Sequence, residues 1–103
     1  MRKMLQVDFD SNFSGPQSKE VTSMLTELAT SINNEQGMVW KIWTENAKNQ
    51  LGGGIYLFED EKSAKNYLDM HSARLIKMGI TNIRGVIFDI NEPLTEINKG
   101  PVK

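Results

Sequence analysis

Cysteine is absent from this chain of 103 residues, and histidine occurs once, at His71. The lack of cysteine excludes a disulfide framework, a thiolate nucleophile and every Cys-ligated metal or cluster, and it fits a reducing cytoplasm. A lone histidine leaves no conventional set of metal ligands. It also limits schemes built on a serine, histidine and acid triad. We therefore expect a cytoplasmic protein with no metal site.

An excess of one charge and long apolar runs are also missing. The 12 lysines and arginines are scattered among 13 acidic residues, which gives a net charge of -1. This balance provides no electrostatic footprint for nucleic acid or an anionic membrane. No stretch approaches the roughly 20 apolar residues that span a bilayer, and the N-terminus does not resemble a signal peptide. We expect one domain over residues 1–103, with neither nucleic acid nor a membrane as partner.

Hydrophobic periodicity divides the chain into strands and helices in the order β-α-β-β-α-β. Ser14 or Ser18 is the expected N-cap of the first helix, and Asp60 and Gly79 are the expected N-cap and C-terminal stop of the second. Residues 91–103 are predicted to form a C-terminal tail. The predicted segments are strand 4–9, a helix at about 17–33, strands 38–45 and 55–58, the helix after residue 60, and strand 81–90.

Right-handed crossovers place both helices on one face of the antiparallel sheet, so the predicted fold is a ferredoxin-like α+β sandwich. The strands nevertheless carry apolar side chains on both faces: Trp40 and Ile42 oppose Trp43, and Phe88 opposes Ile87. Two helices cover about one face of such a sheet. The second face needs another cover, and the simplest is a second copy of the chain, which predicts a homodimer through the sheet face.

Four aromatic residues with polar groups, Trp40, Trp43, Tyr56 and Tyr67, admit two interpretations. Each either fills the core with one satisfied hydrogen bond or walls a pocket for a flat aromatic ligand. Tyr67 and His71 lie one helical turn apart and share a surface patch, which favours the pocket. His71 is either a hydrogen-bonded packing residue or a catalytic group, because the ordinary histidine pKa lies near neutrality.

Two further features have mainly structural interpretations. Lys41 and Glu45 share the Trp43 face of one strand, which predicts a wet edge or, preferably, an ion pair between protomers. Glycines 52–54 precede a strand instead of opening a helix, so they do not form a phosphate-binding loop. We expect these glycines to form a structural turn.

Five strings carry a family resemblance: GMVWKIWTE at 37–45, GGIYLF at 53–58, DEKSA at 60–64, HSARL at 71–75 and FDINEPL at 88–94. Together they resemble the YdhR family, whose members are described as putative mono-oxygenases. The resemblance implies a dimeric α/β barrel, in which two ferredoxin-like protomers pack sheet against sheet. It also implies kinship with small mono-oxygenases of the antibiotic-biosynthesis type. Some of these oxidise polycyclic phenols to quinones with molecular oxygen and without metal, flavin or other cofactor.

The implied function is mono-oxygenation of a small phenolic or polycyclic aromatic compound without a cofactor. Such a reaction needs a substrate that ionises to an electron-rich anion, a base or donor that manages the proton, and a dry pocket. We expect this pocket between the helices and the sheet. The expected roles are catalysis for His71 and Tyr56, and substrate binding for Trp40, Trp43, Tyr67 and Arg74, with Arg74 attracting a phenolate.

Two other functions stay open at this point. A haem-degrading mono-oxygenase has the same barrel and uses a helix histidine as iron ligand beside a strand asparagine and a tryptophan. His71 fits that pattern loosely, but the first strand offers Gln6 and Asp8 instead of asparagine, and Tyr56 or Phe58 stands in place of tryptophan. The other alternative is a non-enzymatic module, for small-ligand binding or stress response, whose pocket only carries its ligand.

Overall fold

The computed structural model describes residues 1–11 and 18–103. Its four strands pair antiparallel in the order β2-β3-β1-β4, which confirms the predicted ferredoxin-like βαββαβ arrangement. None of the helices in the described part of the chain has the length and hydropathy of a membrane span. The elements are β1 (Lys3–Asp10), α1 (Lys19–Ile32), β2 (Met38–Asn46), β3 (Leu51–Phe58), α2 (Glu61–Lys77), β4 (Thr81–Asp89) and α3 (Glu92–Ile97).

Local signals in the sequence set the ends of both long helices. Ser18 caps α1 by accepting the Val21 N–H, and the alternative cap, Ser14, lies outside the described residues. Asp60 caps α2 by accepting the Ser63 N–H at 2.7 Å. Gly79 follows α2 with φ +85°, the left-handed conformation that favours glycine after a helix. Both predicted ends of α2 are therefore confirmed.

The core lies between the helices and one face of the sheet. Gly85 of β4 brings α2 close, because a Cβ at this position would overlap the Leu68 side chain. The helix α1 is held less tightly, since Ile32 is its one buried residue and Met24 is 51% exposed. The core residues are Leu5, Val7, Ile32, Tyr56, Phe58, Ala64, Tyr67 and Leu75. The close fit of α2 gives its inward side chains fixed positions over β3.

The glycine run lies inside β3, so the prediction of a turn at residues 52–54 was wrong. Close approaches of neighbouring groups explain why glycine occurs within this strand. A Cβ at Gly53 would overlap the Val7 carbonyl of the paired strand β1. A Cβ at Gly54 would lie 2.7 Å from Cε of Lys41, which crosses the strand there. The strand therefore stays paired while leaving a slot for the lysine side chain.

The sheet face opposite the helices, here called the free face, is partly covered by the C-terminal segment. Residues 91–103 were expected to be a tail, but part of this segment forms α3, and Val102 is buried. Trp40 Nε1 donates to the Pro101 carbonyl at 2.8 Å, which fixes the segment on the face. Ile42, Val86 and Phe88 remain 53%, 50% and 45% exposed. An apolar surface thus persists beyond the reach of the C-terminus.

Candidate functional site

Three side chains from β3 and α2 form an aromatic stack on the helix side of the sheet: Tyr56, Tyr67 and His71. The two tyrosine hydroxyl oxygens lie 3.2 Å apart. The Tyr67 and His71 rings stack with centroids 5.1 Å apart and an interplanar angle of 24°. All three residues are buried, and Phe58 packs against Tyr67 with ring centroids 5.5 Å apart. The helical spacing that predicted a shared patch for Tyr67 and His71 is thus observed as direct stacking.

His71 is held in one neutral form by its neighbour Arg74. Arg74 Nη2 lies 2.9 Å from His71 Nδ1, and a guanidinium can only donate, so Nδ1 accepts and the ring proton resides on Nε2. Burial, followed by the positive charges of Arg74 and Lys41, lowers the pKa of His71 to about 3. His71 is therefore a weak base at neutral pH, and its remaining polar function is donation from Nε2.

The tyrosines also keep their protons. Burial, the neighbouring Tyr67 and the hydrogen bond between the hydroxyls raise the pKa of Tyr56. Burial likewise raises the pKa of Tyr67, against the opposing effects of the Tyr56 hydrogen bond and the Arg74 charge. Only one proton is needed to join the two hydroxyl oxygens, so one hydroxyl keeps a proton that this hydrogen bond does not use. The stack is therefore a neutral, buried cluster that carries hydrogen-bond donors.

Lys41 is part of this site, although the sequence indicated an interface role for it. Its β2 position pairs with Tyr56, and its Nζ lies 3.5 Å from the Trp43 ring centroid and 4.7 Å from that of Tyr56. The side chain occupies the slot above Gly54. Because these residues face the helices, the preferred interpretation of an ion pair between sheet-packed protomers was wrong. Strand parity places Lys41 on the Trp43 side of β2, and the pairing of Lys41 with Tyr56 shows that this side faces the helices.

The two cations of the site have no acidic partner among residues 1–11 and 18–103, where the ion pairs involve other side chains. Arg74 Nε is buried and has no hydrogen-bond acceptor in the same described part of the chain. Burial and the nearby Arg74 charge lower the pKa of Lys41 to about 7, while the contacting rings favour its charged form. The site therefore combines a flat aromatic wall with uncompensated positive charge, which suits an aromatic anion.

Comparison with known proteins agrees with this architecture. The family model described as "Putative mono-oxygenase ydhR" matches residues 4–101. The chain belongs to the YdhR family. A solved structure titled as a "putative antibiotic biosynthesis monooxygenase" from Deinococcus radiodurans is similar with a TM-score of 0.58 at 10% sequence identity. The similarity covers 88% of this chain and 93% of that one, and at this identity it shows the fold alone. No curated protein matched the chain.

The two tryptophans of this YdhR-family protein lie on opposite faces of the sheet. Trp43 belongs to the helix-side site, where its ring lies under Lys41 and remains 43% exposed to solvent. Trp40 pairs with Leu57 on the free face, and its indole N–H is bound by the C-terminal segment. The expectation that Trp40 lines the pocket between helices and sheet was therefore wrong. Strand alternation separates it from Tyr56, the neighbour of Leu57.

A hollow of about 240 Å³ lies elsewhere, mainly on the free face of this YdhR-family protein. Gln6, Asp8, Thr44 and Ile55 are among its lining residues. It contains no aromatic side chain and no histidine, and Asp8 is already paired with Arg84. Among the described residues, no group of three or more His, Cys, Asp or Glu side chains is arranged to hold a metal. We assign the candidate site to the aromatic stack because donors, cations and an unpartnered polar atom meet there.

Proposed function

We propose that this YdhR-family protein is a mono-oxygenase that oxidises a small phenolic or polycyclic aromatic compound with molecular oxygen and without a cofactor. The observation that best supports this proposal is the neutral aromatic stack beside two cations without acidic partners. In the proposed arrangement the substrate ring lies along the exposed Trp43 ring with its edge toward the buried Tyr56, while Arg74 and Lys41 hold its anionic oxygen. Tyr56, Tyr67 and His71 supply hydrogen-bond donors. Family membership is consistent with the reaction class.

The proposed reaction is balanced by one molecule of oxygen for each substrate. The phenolic O–H bond and one ring C–H bond break, and a second carbon–oxygen double bond forms at that ring carbon. One oxygen atom enters the quinone and the other leaves as water, so the substrate supplies all the electrons. The protein contributes ionisation of the phenol, orientation of its ring and exclusion of water, which together make the anion a better electron donor.

Oxygen uptake by the purified, metal-free protein tests this function. With dihydroxynaphthalenes, anthrones and related phenols, we expect uptake above the uncatalysed rate and one quinone formed for each oxygen consumed. Tyr56→Phe should lower the catalysed rate by about 10-fold to 10²-fold, because it removes one donor from the stack. Lys65→Ala is the matched control, since Lys65 lies on α2 in an exposed pair with Asp69. Uptake no faster than in buffer across the panel would contradict the proposal.

We further propose that the free face is covered by a second copy of the chain. Ile42, Val86 and Phe88 expose apolar surface there, and contiguous apolar patches of this kind are rare on soluble monomers. Light scattering at micromolar concentration should then give twice the monomer mass. Phe88→Glu should shift the mass to that of a monomer, because its charge would be buried without a partner in the interface. A monomer mass for the unmodified protein would contradict this arrangement.

A binding module is the second candidate function, and the weak basicity of His71 favours it. It predicts that a phenol raises the melting temperature while no oxygen is consumed. The haem-degrading alternative fits the geometry less well. A metal-bound histidine normally donates its other ring N–H to an acceptor, whereas His71 Nδ1 accepts from a cation. A Soret shift on adding stoichiometric haemin would restore the haem alternative.

A further inference from the structure

We propose that Lys41 is the catalytic base of this site: its amine takes the acidic proton of the phenol, and the resulting ammonium holds the phenolate together with Arg74. This inference rests on the proposed function. It adds a residue and a proton-transfer step that sequence reasoning did not provide. The geometry around Nζ is its main support, because the lysine end is fixed among the groups that a flat substrate would contact.

Three strand residues hold the end of the Lys41 side chain in place. Gly54 has no Cβ and so leaves room for the Lys41 side chain. The Cε of Lys41 lies 2.7 Å from the position that a Cβ of residue 54 would occupy. Trp43 and Tyr56 flank Nζ at 3.5 Å and 4.7 Å from their ring centroids. Trp43 is 43% exposed, so this end of the site can be reached from solvent. A planar phenol that enters along Trp43 would thus meet Nζ before it meets the buried stack.

The other titratable groups at the site are poorly suited to accept the proton. His71 Nδ1 is already engaged by Arg74, and its Nε2 carries a proton. Tyr56 and Tyr67 are protonated donors, and Arg74 has no lone pair to offer. Glu35 acts on the pKa of Tyr67, and in the described part of the chain it forms no ion pair with Lys41 or Arg74. Lys41 therefore remains as the group that can exchange a proton near neutral pH.

The proton-transfer step needs no additional reactant. The phenolic O–H bond breaks, its electron pair stays on the oxygen, and a new N–H bond forms on Nζ. The ammonium that results faces the phenolate, and Arg74 Nε, buried and without an acceptor in the described chain, is available as a second donor to the anion. The anion then receives two charge-assisted hydrogen bonds, one from the Lys41 ammonium and one from Arg74. Substrate ionisation and substrate binding are thereby coupled.

Binding of para-nitrophenol under nitrogen tests this inference without any oxidation. The anion of this probe is yellow and its neutral form is nearly colourless, so absorbance reports the ionisation of the bound molecule. We expect the unmodified protein to bind it as the anion, with its apparent pKa lowered by about one unit or more. Lys41→Met should abolish most of that shift and weaken binding about 10-fold. Binding as the neutral phenol, an equal shift in Lys41→Met, or no binding would overturn the inference.

Two further variants separate charge from proton transfer. Lys41→Arg keeps a permanent cation, so we expect anion binding to be kept while the oxidation rate falls at an unchanged KM. Gly54→Ala keeps the lysine but pushes its end from the slot, and it should reduce the ionisation shift with little change in net charge. Unfolding transitions like those of the unmodified protein would establish that each variant is folded. Probe ionisation without oxygen uptake would refute the proposed oxygenation and leave the role of Lys41 in ionisation supported.

Discussion

Replacing His71 by leucine is expected to lower kcat/KM for oxygen consumption by about 10²-fold to 10³-fold, whereas His71→Gln should stay within about 10-fold of the unmodified protein. In the proposed function His71 acts as a neutral donor, because Arg74 occupies Nδ1 and the ring proton lies on Nε2. A glutamine can accept from Arg74 through its carbonyl oxygen and donate through its amide. Leucine can do neither, and it leaves Arg74 with a second unpaired donor.

The comparison separates two roles that a single substitution cannot distinguish. Steady-state rates for both variants, measured with the same phenol, give the ratio of their kcat/KM values. If His71 acted as the base, glutamine would fail as completely as leucine, since an amide does not take up a proton at these pH values. Equal losses in the two variants would therefore contradict the donor role and would weaken the case for Lys41.

Acid should destabilise the protein through His71 well before its carboxylates are protonated. The folded-state pKa of about 3 lies below the value of about 6.5 for an unfolded histidine, so the unfolded chain binds the extra proton first. Stability is then lost as pH falls below about 6.5, at a limiting slope of about 1.4 kcal/mol per pH unit. Between about pH 6.5 and 4.5 the loss amounts to about 2 kcal/mol, a large share of the stability of a small domain.

Denaturant unfolding at a series of pH values measures this effect. His71→Gln is the matched control, because glutamine does not titrate and its curve should be flatter over the same range. Lys41 does not contribute to this effect. Its pKa is about 7 in the folded state and about 10.4 in an unfolded chain, so it makes the free energy of unfolding depend on pH only between those two values. Parallel curves for the two proteins would show that His71 is protonated as easily in the folded state as in the unfolded chain.

Local patterns in the sequence were sufficient to predict the fold. Alternation in the strands identified which side chains share a face. As predicted, Tyr56 points toward the helices and its neighbour Leu57 points toward the free face. Asp60 and Gly79 marked the ends of α2 through capping chemistry that depends on adjacent residues. Helical spacing likewise brought Tyr67 and His71 together. These features depend on neighbours along the chain or on strand parity, so no tertiary information was required.

The chemistry of the site depends on contacts between distant segments, and there the sequence was less informative. Lys41 could be placed on the Trp43 side of β2, but parity alone does not say which side faces the helices. The register irregularity between Met38 and Trp40 further obscures the pattern at the start of β2. The lowered pKa of His71 results from burial and from two cations, one of them on another element. The reason for a glycine at position 54 lies in a contact between strands, because the Lys41 side chain crosses β3 at this residue.

Fluorine NMR of the chain labelled with fluorotryptophan tests most directly the central claim, that the aromatic substrate binds on the helix side of the sheet. The two tryptophans lie on opposite faces, so each reports on one candidate surface, and Trp40→Phe assigns the two signals. On titration with a dihydroxynaphthalene under nitrogen, the Trp43 signal should shift in a saturable manner while the Trp40 signal stays in place. A saturable shift of Trp40 with Trp43 unmoved would place the ligand on the free face and contradict the account.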